Sequence, residues 1–365
     1  MTRFTARIER ITAFLVMVLT ISLVAGCRSR TDANGSGNQA DVALATFSGD
    51  HPINVVGTVG MVCDLVRGVG GEHVQVTQIC GSGVDPHSFS PSSEDVKLIS
   101  KADIVFYNGL MLEGKMAQVL GTVGRRKPVI AVAEELDPSV LLKPDEFEGH
   151  FDPHVWMDVS AWSKCVGVIA DRLSKFDPPN AEEYQANAEI LQTKLDSLHQ
   201  YAIGVLSSIP EEGRILITSH DAFNYFGRAY GIQVMGVQGI STESEAGIQR
   251  INELVDLLVE KKVQAVFTET SVDPSMIQAL IEGARNRGHQ VKSGEDLVLF
   301  SDAMGANGTY RGTYIGMLDH NITTVAIGLG GDASPSGFQG KLTGEEVASE
   351  TSSEIGSDLL EESSP

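Results

Sequence analysis

Two histidines in this sequence lie in the same short motif. Asp85-Pro86-His87 follows the apolar run Val74–Ile79, and Asp152-Pro153-His154 opens a later segment. Glycine and proline make the first motif a turn at the end of a predicted strand. Open parallel sheets bind their ligands at the carboxyl ends of strands. The repeated motif therefore predicts two imidazoles that face one cleft.

A third histidine and an aspartate occupy similar positions further along the chain. His220 ends the apolar strand Ile215–Ser219 and begins a helix, and Asp302 ends the run that starts at Leu299. Each also has a purely structural interpretation. A polar residue at a helix start caps the backbone, and an Asp before a glycine-containing loop is typical of a turn.

Short β-branched runs alternate with helical segments through most of the chain. Ile53–Val56 and Ile104–Tyr107, for example, are separated by helical patterns such as Glu94–Ser100, and the rhythm restarts downstream. Strand and helix repeating in this way favour parallel sheets covered by helices. The sequence therefore predicts an α/β protein of two similar lobes, residues 52–177 and 211–330, each a mainly parallel sheet flanked by helices.

One long helix is predicted to join the two lobes, over residues 178–210. Apolar side chains recur there at alternating spacings of four and three, which places them on one stripe of a helix. About 28 helical residues rising 1.5 Å each would span roughly 40 Å. Such a rigid helix should limit rotation of the lobes, so we expect only modest closure. The stripe consists of Tyr184, Ala188, Leu191, Leu195, Leu198, Ala202 and Val205.

Residues 1–27 have the pattern of a lipoprotein signal peptide. Three arginines precede the apolar stretch Ile11–Val24, which is too short to span a bilayer comfortably, and small residues then lead to Cys27. We expect lipid attachment at Cys27 and a place in the cell envelope, outside the cytoplasm. An ordinary secretion signal and an uncleaved anchor helix are the alternatives. Polar residues 28–51 are predicted to form a flexible tether to the membrane.

Acidic residues dominate the charge of the chain. Residues 331–365 contain eight acidic residues and one lysine, a composition that predicts an acidic disordered tail because it buries too little apolar surface to offset ordering entropy. The whole chain has a net charge of -21. A surface of this sign excludes nucleic acid as a partner, since phosphates require basic residues.

Three cysteines remain besides Cys27, namely Cys63, Cys80 and Cys165. One disulfide with a free thiol and three buried thiols both fit this number, and Cys63 with Cys80 is the more plausible pair. The sequence has no Cys-x-x-Cys spacing, so a thiolate metal site is not predicted.

Longer motifs around these residues resemble the TroA/ZnuA type of metal-specific solute-binding proteins, which serve ABC importers. The resemblance covers nearly the whole chain from Ile53 to Leu329. In that family the residues at the positions of His87, His154, His220 and Asp302 ligate the metal, and a long helix joins the lobes that supply them. The matching motifs are Val84–His87, Ala102–Gly109 with Leu112-Glu113, Asp152–Asp158, Thr218–Phe226, Gly239–Glu243 and Ser301–Gly305.

The resemblance implies a monomeric receptor that captures one divalent transition metal and delivers it to an ABC permease in the cytoplasmic membrane. Three imidazoles and one carboxylate suit Mn²⁺ or Zn²⁺ better than Ca²⁺ or Mg²⁺. Zinc importers of this family often carry a long His-rich insertion, which Ala131–Phe151 lacks. The best-known manganese receptors have Glu where this chain has His220. Manganese and zinc therefore both stay open.

Two other classes of protein use similar features. A zinc-dependent hydrolase also has His and carboxylate ligands, but it needs an open coordination position for water, and His-Glu-x-x-His spacing is absent here. An envelope adhesin would instead use the surface anchor and the acidic tail. Each coordinating His also needs an acceptor at its other ring nitrogen. The candidate acceptors are Asp85, Asp152, Asp158, Asp221, Glu243 and Glu269.

Overall fold

The computed structural model describes residues 46–147 and 149–342. The predicted signal peptide with Cys27, residues 28–45 of the predicted tether and residues 343–365 of the predicted tail lie outside these ranges. No helix within the described ranges combines the length and the apolar character needed to cross a membrane.

The N-terminal lobe is built on a parallel sheet of four strands, in the spatial order β2-β1-β3-β4. The strand residues are mostly apolar in β1, β3 and β4, as is typical of a parallel sheet covered by helices, whereas the edge strand β2 alternates apolar and polar residues. The strands are β1 (Ile53–Gly57), β2 (Val74–Gln78), β3 (Ile104–Tyr107) and β4 (Val129–Ala131). The helices of this lobe are α1 (Gly60–Gly70), α2 (Ser93–Lys101), α3 (Ala117–Val123) and α4 (Val159–Phe176).

The long helix α5 (Ala181–Leu206) follows, with 26 residues and a length of about 39 Å. It starts three residues later than the predicted range 178–210, because Pro178–Asn180 forms a separate 3-10 turn. It ends four residues earlier than predicted, at Leu206. It packs against α4 and α1 of the N-terminal lobe and against the last helix of the chain. The predicted long helix is confirmed, and it belongs to the core. Its buried residues are Tyr184, Ala188, Leu195, Leu198, Ala202 and Leu206.

The C-terminal lobe has shorter strands than the N-terminal lobe. Two parallel pairs, β5-β6 and β7-β8, replace a continuous sheet, and the amide of Phe267 links them by donating to the carbonyl of Ile217 at 3.0 Å. The α/β class is thus confirmed, although the second lobe is less regular than the first. The strands are β5 (Ile215–Thr218), β6 (Gln233–Gly236), β7 (Thr268–Glu269) and β8 (Val298–Leu299). The helices are α6 (Asn224–Tyr230), α7 (Ile248–Lys261), α8 (Ser275–Asn286) and α9 (Tyr314–Gly328).

The main apolar core extends through both lobes. Trp156, Trp162 and Tyr184 belong to the same buried cluster as Phe226 and Tyr314 of the C-terminal lobe. A smaller second cluster lies between α7, α8 and β5. The shared core means that the two lobes fold against each other rather than as separate units.

The folded body starts before the predicted end of the tether at residue 51. The amide of Phe47 donates to the carbonyl of Phe176 at 2.6 Å, and the two rings lie 5.5 Å apart. The prediction of a flexible tether is therefore wrong for residues 46–51, because an aromatic side chain in this polar segment packs at the end of α4.

The folded body also continues past residue 331, where the disordered tail was predicted to begin. The ring of Phe338 lies 5.2 Å from that of Tyr201, and its amide donates to Oδ1 of Asp319 at 2.6 Å. The prediction of disorder is wrong for residues 331–342, because composition alone does not register one aromatic residue that packs on α5 and α9.

The three cysteines of the described residues are free and buried. The more plausible pair from the sequence, Cys63 with Cys80, is not formed, and the alternative of three buried thiols is the one observed. Burial raises the pKa of the Cys63 thiol to about 12, and burial also raises the pKa values of Cys80 and Cys165. Neutral buried thiols of this kind are unreactive core residues.

Candidate metal centre

Four polar side chains from both lobes meet at the carboxyl ends of strands. His87 lies in the loop after β2, and His154 precedes the 3-10 turn Val155–Met157 that leads into α4. His220 follows β5 by two residues, and Asp302 follows β8 by three. One ligand atom from each of the four lies within 4.8 Å of all the others. The structure therefore brings together all four residues singled out from the sequence.

The Nε2 atoms of the three histidines face one another across this centre. The Nε2 atom of His154 lies 3.3 Å from that of His87 and 3.4 Å from that of His220. The carboxylate of Asp302 lies 3.2 Å from Nε2 of His220, 3.3 Å from that of His154 and 3.8 Å from that of His87. Ligand atoms arranged tetrahedrally at 2.0–2.1 Å from a zinc ion are about 3.3 Å apart. These separations fit one transition metal ion.

The centre is closed to solvent, and the Asp302 carboxylate faces only the imidazoles among the residues that the structure describes. The exposed fraction is 0–1% for His154, His220 and Asp302, and 4% for His87. Both carboxylate oxygens of Asp302 are buried without a hydrogen-bond partner in the described residues. A buried carboxylate needs a positive charge beside it, which protonated imidazoles supply here and which a bound cation would supply in their place.

Two of the three imidazoles are held by a carboxylate at their other ring nitrogen. Nδ1 of His154 lies 2.7 Å from Oδ1 of Asp152. Nδ1 of His220 forms a short hydrogen bond with Oε2 of Glu269, whose Oε1 accepts the amide of His220 at 2.8 Å. Such partners orient the ring and present Nε2 to a metal. Asp152 and Glu269 therefore fulfil the role expected of an acceptor.

The remaining candidate acceptors have other contacts. Asp85 accepts the backbone amide of His87 at 2.8 Å. Asp158 caps the start of α4 through the amide of Ser160 at 3.0 Å. Glu243 is half exposed and pairs with Lys115 at 3.6 Å. The side chain of Asp221 accepts from Asn224 at 3.0 Å.

The imidazoles and carboxylates of the centre shift one another's pKa values. Burial lowers the pKa of His87 to about 4. Burial also disfavours protonation of His154, but the Asp152 and Asp302 carboxylates outweigh it and raise its pKa to about 9. The pKa of His220 is likewise raised by Glu269 and Asp302 against the effect of burial. The pKa of Asp302 is well below its usual range because the imidazoles outweigh burial. A bound metal requires neutral imidazoles, so binding must displace protons.

Two neighbours of the centre were not identified as functional from the sequence. The indole of Trp156 donates to the carbonyl of Ser301 at 2.9 Å and thereby holds the loop of Asp302. These residues are 145 positions apart, so no local sequence pattern predicts the contact. Asn224 donates to Oδ2 of Asp152 at 3.1 Å. Its position four residues after His220 was the available signal.

A glycine allows the His220 segment to approach β6. Thr218 Oγ1 donates to the carbonyl of His220 at 2.8 Å, which fixes the turn after β5. A Cβ atom at Gly236 would lie 2.4 Å from the backbone nitrogen of Asp221. Only glycine leaves room for this close backbone contact.

Comparisons with known proteins agree with the motifs and with the geometry. The manganese-binding lipoprotein MntA of Bacillus subtilis is 43% identical over 305 residues, which are 80% of this chain and 99% of that protein. The zinc-binding protein TroA of Treponema pallidum is 41% identical over 275 residues, 75% of this chain and 88% of that protein. The solved structure of the periplasmic zinc-binding protein TroA from Treponema pallidum superposes with a TM-score of 0.73 at 40% identity, covering 77% of this chain and 99% of that one.

A family model agrees with these relatives. The model described as ZnuA, zinc-uptake complex component A, periplasmic, matches residues 55–328. The match includes both lobes, the long helix and all four side chains of the centre. The chain therefore belongs to the ZnuA family of metal-binding substrate-binding proteins.

Proposed function

We propose that this chain is the substrate-binding receptor of an ABC importer and that it binds one Mn²⁺ or Zn²⁺ ion through His87, His154, His220 and Asp302. The observation that carries the ligand assignment is the buried Asp302 carboxylate, which lies 3.2, 3.3 and 3.8 Å from the Nε2 atoms of three buried imidazoles. A divalent cation there would compensate the carboxylate and complete the coordination of the imidazoles. The receptor then delivers the ion to its permease.

The relatives support both metals. One of them is named a manganese-binding and another a zinc-binding protein, at 43% and 41% identity. Three imidazoles and one carboxylate suit either ion, and intrinsic affinity follows the Irving–Williams order, which places Mn²⁺ below Zn²⁺. Manganese or zinc is accordingly the cargo.

A binding receptor fits this centre better than a hydrolase does. Four protein ligands fill a tetrahedral shell, whereas catalytic zinc keeps a position for water. The relatives are named as metal-binding proteins and transporter lipoproteins, and these names lend no support to the hydrolase or to the adhesin.

The ligand assignment is tested by metal analysis of the purified full chain. The wild type should retain about one equivalent of metal per chain, and His220→Ala should lose it. His150→Ala is the control, because His150 is exposed and does not belong to the centre. Retention of one equivalent by the double variant His87→Ala/His154→Ala would contradict the assignment.

The receptor is further proposed to be a monomer held in the cell envelope by lipid on Cys27. Relatives named as lipoproteins of ABC transporters support this location outside the cytoplasm. Cys27→Ser should move the protein from the detergent phase to the aqueous phase of a Triton X-114 partition. An unchanged partition would contradict lipid attachment at this residue.

A further inference from the structure

We propose that the metal ion enters and leaves on the His87 side of the centre, and that Thr242 is the positioning residue that holds this side closed. The inference rests on the proposed function and adds a route and a residue that controls release. Three observations support it. The His87 ring is held less firmly than the other imidazoles, the opposite side of the centre is anchored between the lobes, and a loop of the C-terminal lobe contacts the His87 loop.

The ring of His87 is held less firmly than the other imidazoles. His154 and His220 each have a carboxylate at Nδ1. Among residues 46–147 and 149–342, no acceptor binds Nδ1 of His87. It is also the most exposed ligand, and its 3.8 Å separation from Asp302 is the longest of the three. Its place in the centre therefore depends mainly on the position of its loop.

The side of the centre at His154 and His220 is anchored by α6, which starts four residues after His220. The buried hydroxyl of Tyr225 donates to the carbonyl of Asp152 and accepts the amide of Leu142, both at 2.9 Å. These bonds join the two lobes next to His154. Since the bond to Asp152 is buried and the bond from Leu142 is partly buried, opening the cleft here would leave backbone groups without partners.

Arg228 adds a second attachment on the same helix. Its guanidinium donates to the carbonyl of Val140 at 2.7 Å and lies 3.0 Å from Oδ2 of Asp158. With Tyr225, it fixes α6 of the C-terminal lobe to the segment of the N-terminal lobe that carries His154. This side should stay closed when the ion leaves.

On the His87 side, a loop of the C-terminal lobe contacts the N-terminal lobe through Thr242 and Glu243. The hydroxyl of Thr242 donates to Oδ2 of Asp85 at 2.6 Å, while Oδ1 of Asp85 accepts the amide of His87 at 2.8 Å. One carboxylate thus connects the C-terminal lobe directly to the backbone of the ligand. A hydrogen bond to an ionised carboxylate is stronger than one between neutral groups.

The other cross-lobe contacts on this side are weaker. Lys115 and Glu243 are 44% and 52% exposed, so solvent screens their 3.6 Å ion pair. Ser82 donates at 2.9 Å to the carbonyl of Met304, a neutral acceptor that binds less strongly than a carboxylate. The Thr242–Asp85 bond is therefore the contact whose loss should free the His87 loop.

Release of the ion tests this proposal. The full chain is loaded with Mn²⁺ or with Zn²⁺ alone, mixed with excess EDTA, and followed by stopped flow. Thr242→Val removes the hydroxyl at nearly constant volume and should release the ion about tenfold faster, equivalent to ~1.4 kcal/mol. Thr242→Ser should restore the wild-type rate. Thr122→Val is the matched control, since the Thr122 hydroxyl donates only within α3, to Gln118.

The outcomes separate this proposal from the proposed function. One equivalent of metal in Thr242→Val with a release rate within about twofold of wild type would overturn the role of Thr242. Absence of metal binding by the wild-type chain would instead overturn the proposed function.

Hydrogen exchange of the wild-type chain tests the route without a substitution. Removing the metal should speed exchange in residues 81–90 and leave residues 152–158 and 218–226 protected. Equal loss of protection in all three segments would overturn an opening on the His87 side.

Discussion

At the scale of single residues, carboxylates contribute to the charge and the geometry of the centre as much as the imidazoles do. Asp302 faces the site directly, while Asp152 and Glu269 lie behind two of the rings. A carboxylate at Nδ1 raises the basicity of the imidazole and fixes its tautomer. Two of the proposed ligands, His154 and His220, are therefore oriented for a cation by a carboxylate partner, and His87 is the exception.

The role of Glu269 can be measured directly. Glu269→Gln should weaken Mn²⁺ and Zn²⁺ binding about tenfold to a hundredfold, because the amide no longer offers two anionic oxygens to His220. Isothermal titration would give the dissociation constant. Glu282→Gln, which removes an exposed carboxylate from α8, should bind like the wild type. Equal affinities of Glu269→Gln and wild type would show that Glu269 does not support the ligand.

At the scale of elements, the turn after β3 positions the His154 loop through a buried glutamate. The carboxylate of Glu113 accepts the hydroxyl of Thr58 at 2.7 Å and the amides of Asn108 and Gly109 at 2.8 and 3.0 Å. Asn108 in turn donates to the carbonyl of Pro153 at 3.1 Å. The apolar β3 thus leads into a polar turn that reaches the His154 motif.

This glutamate should make stability depend on pH. Burial raises the pKa of Glu113 from 4.5 to about 7, although its three donors favour the charged form. Because the folded-state pKa lies above the unfolded value, the protonated Glu113 carboxyl contributes its full stabilisation below pH 4.5. This contribution is lost as the pH rises through 7. The unfolding free energy of wild type minus that of Glu113→Gln should therefore fall by about 3 kcal/mol between pH 4.5 and 8.

Denaturant unfolding of the metal-free proteins at several pH values would give this difference. Subtracting the variant cancels the titration of all other groups. A difference that does not change with pH would show that Glu113 is ionised throughout this range.

At the scale of the whole molecule, the lobes share one core, so we expect them to unfold as one unit. The main core contains residues of both lobes, and α5 packs on helices of each. A ligand that binds only the folded state adds to its stability. Because the four proposed ligands come from both lobes, the metal should stabilise the entire body.

Calorimetry of the full chain should show one unfolding transition with and without metal. At a free metal concentration 100 times the dissociation constant, stability should increase by about 2.7 kcal/mol. His154→Ala should show no such increase. Two transitions, of which metal shifts only one, would contradict a shared core.

The sequence by itself determined the features that depend on neighbouring residues. The strand and helix rhythm, the stripe of α5 and the polar residues at strand ends all follow from local spacing. The Asp152–His154 pair spans two residues and was also within reach of such an argument. The motifs identified the family before any contact was known.

Only the tertiary structure decided what depends on distant contacts. Glu269 meets His220 across 49 residues, and Thr242 meets Asp85 across 157. Nothing in local spacing selects these partners from the other acidic residues. The same reason explains the wrong boundaries at residues 51 and 331, where Phe47 and Phe338 pack on distant helices. Three-dimensional packing therefore decided which of the proposed ligands has a carboxylate at its other ring nitrogen, and which, His87, has none in the described residues.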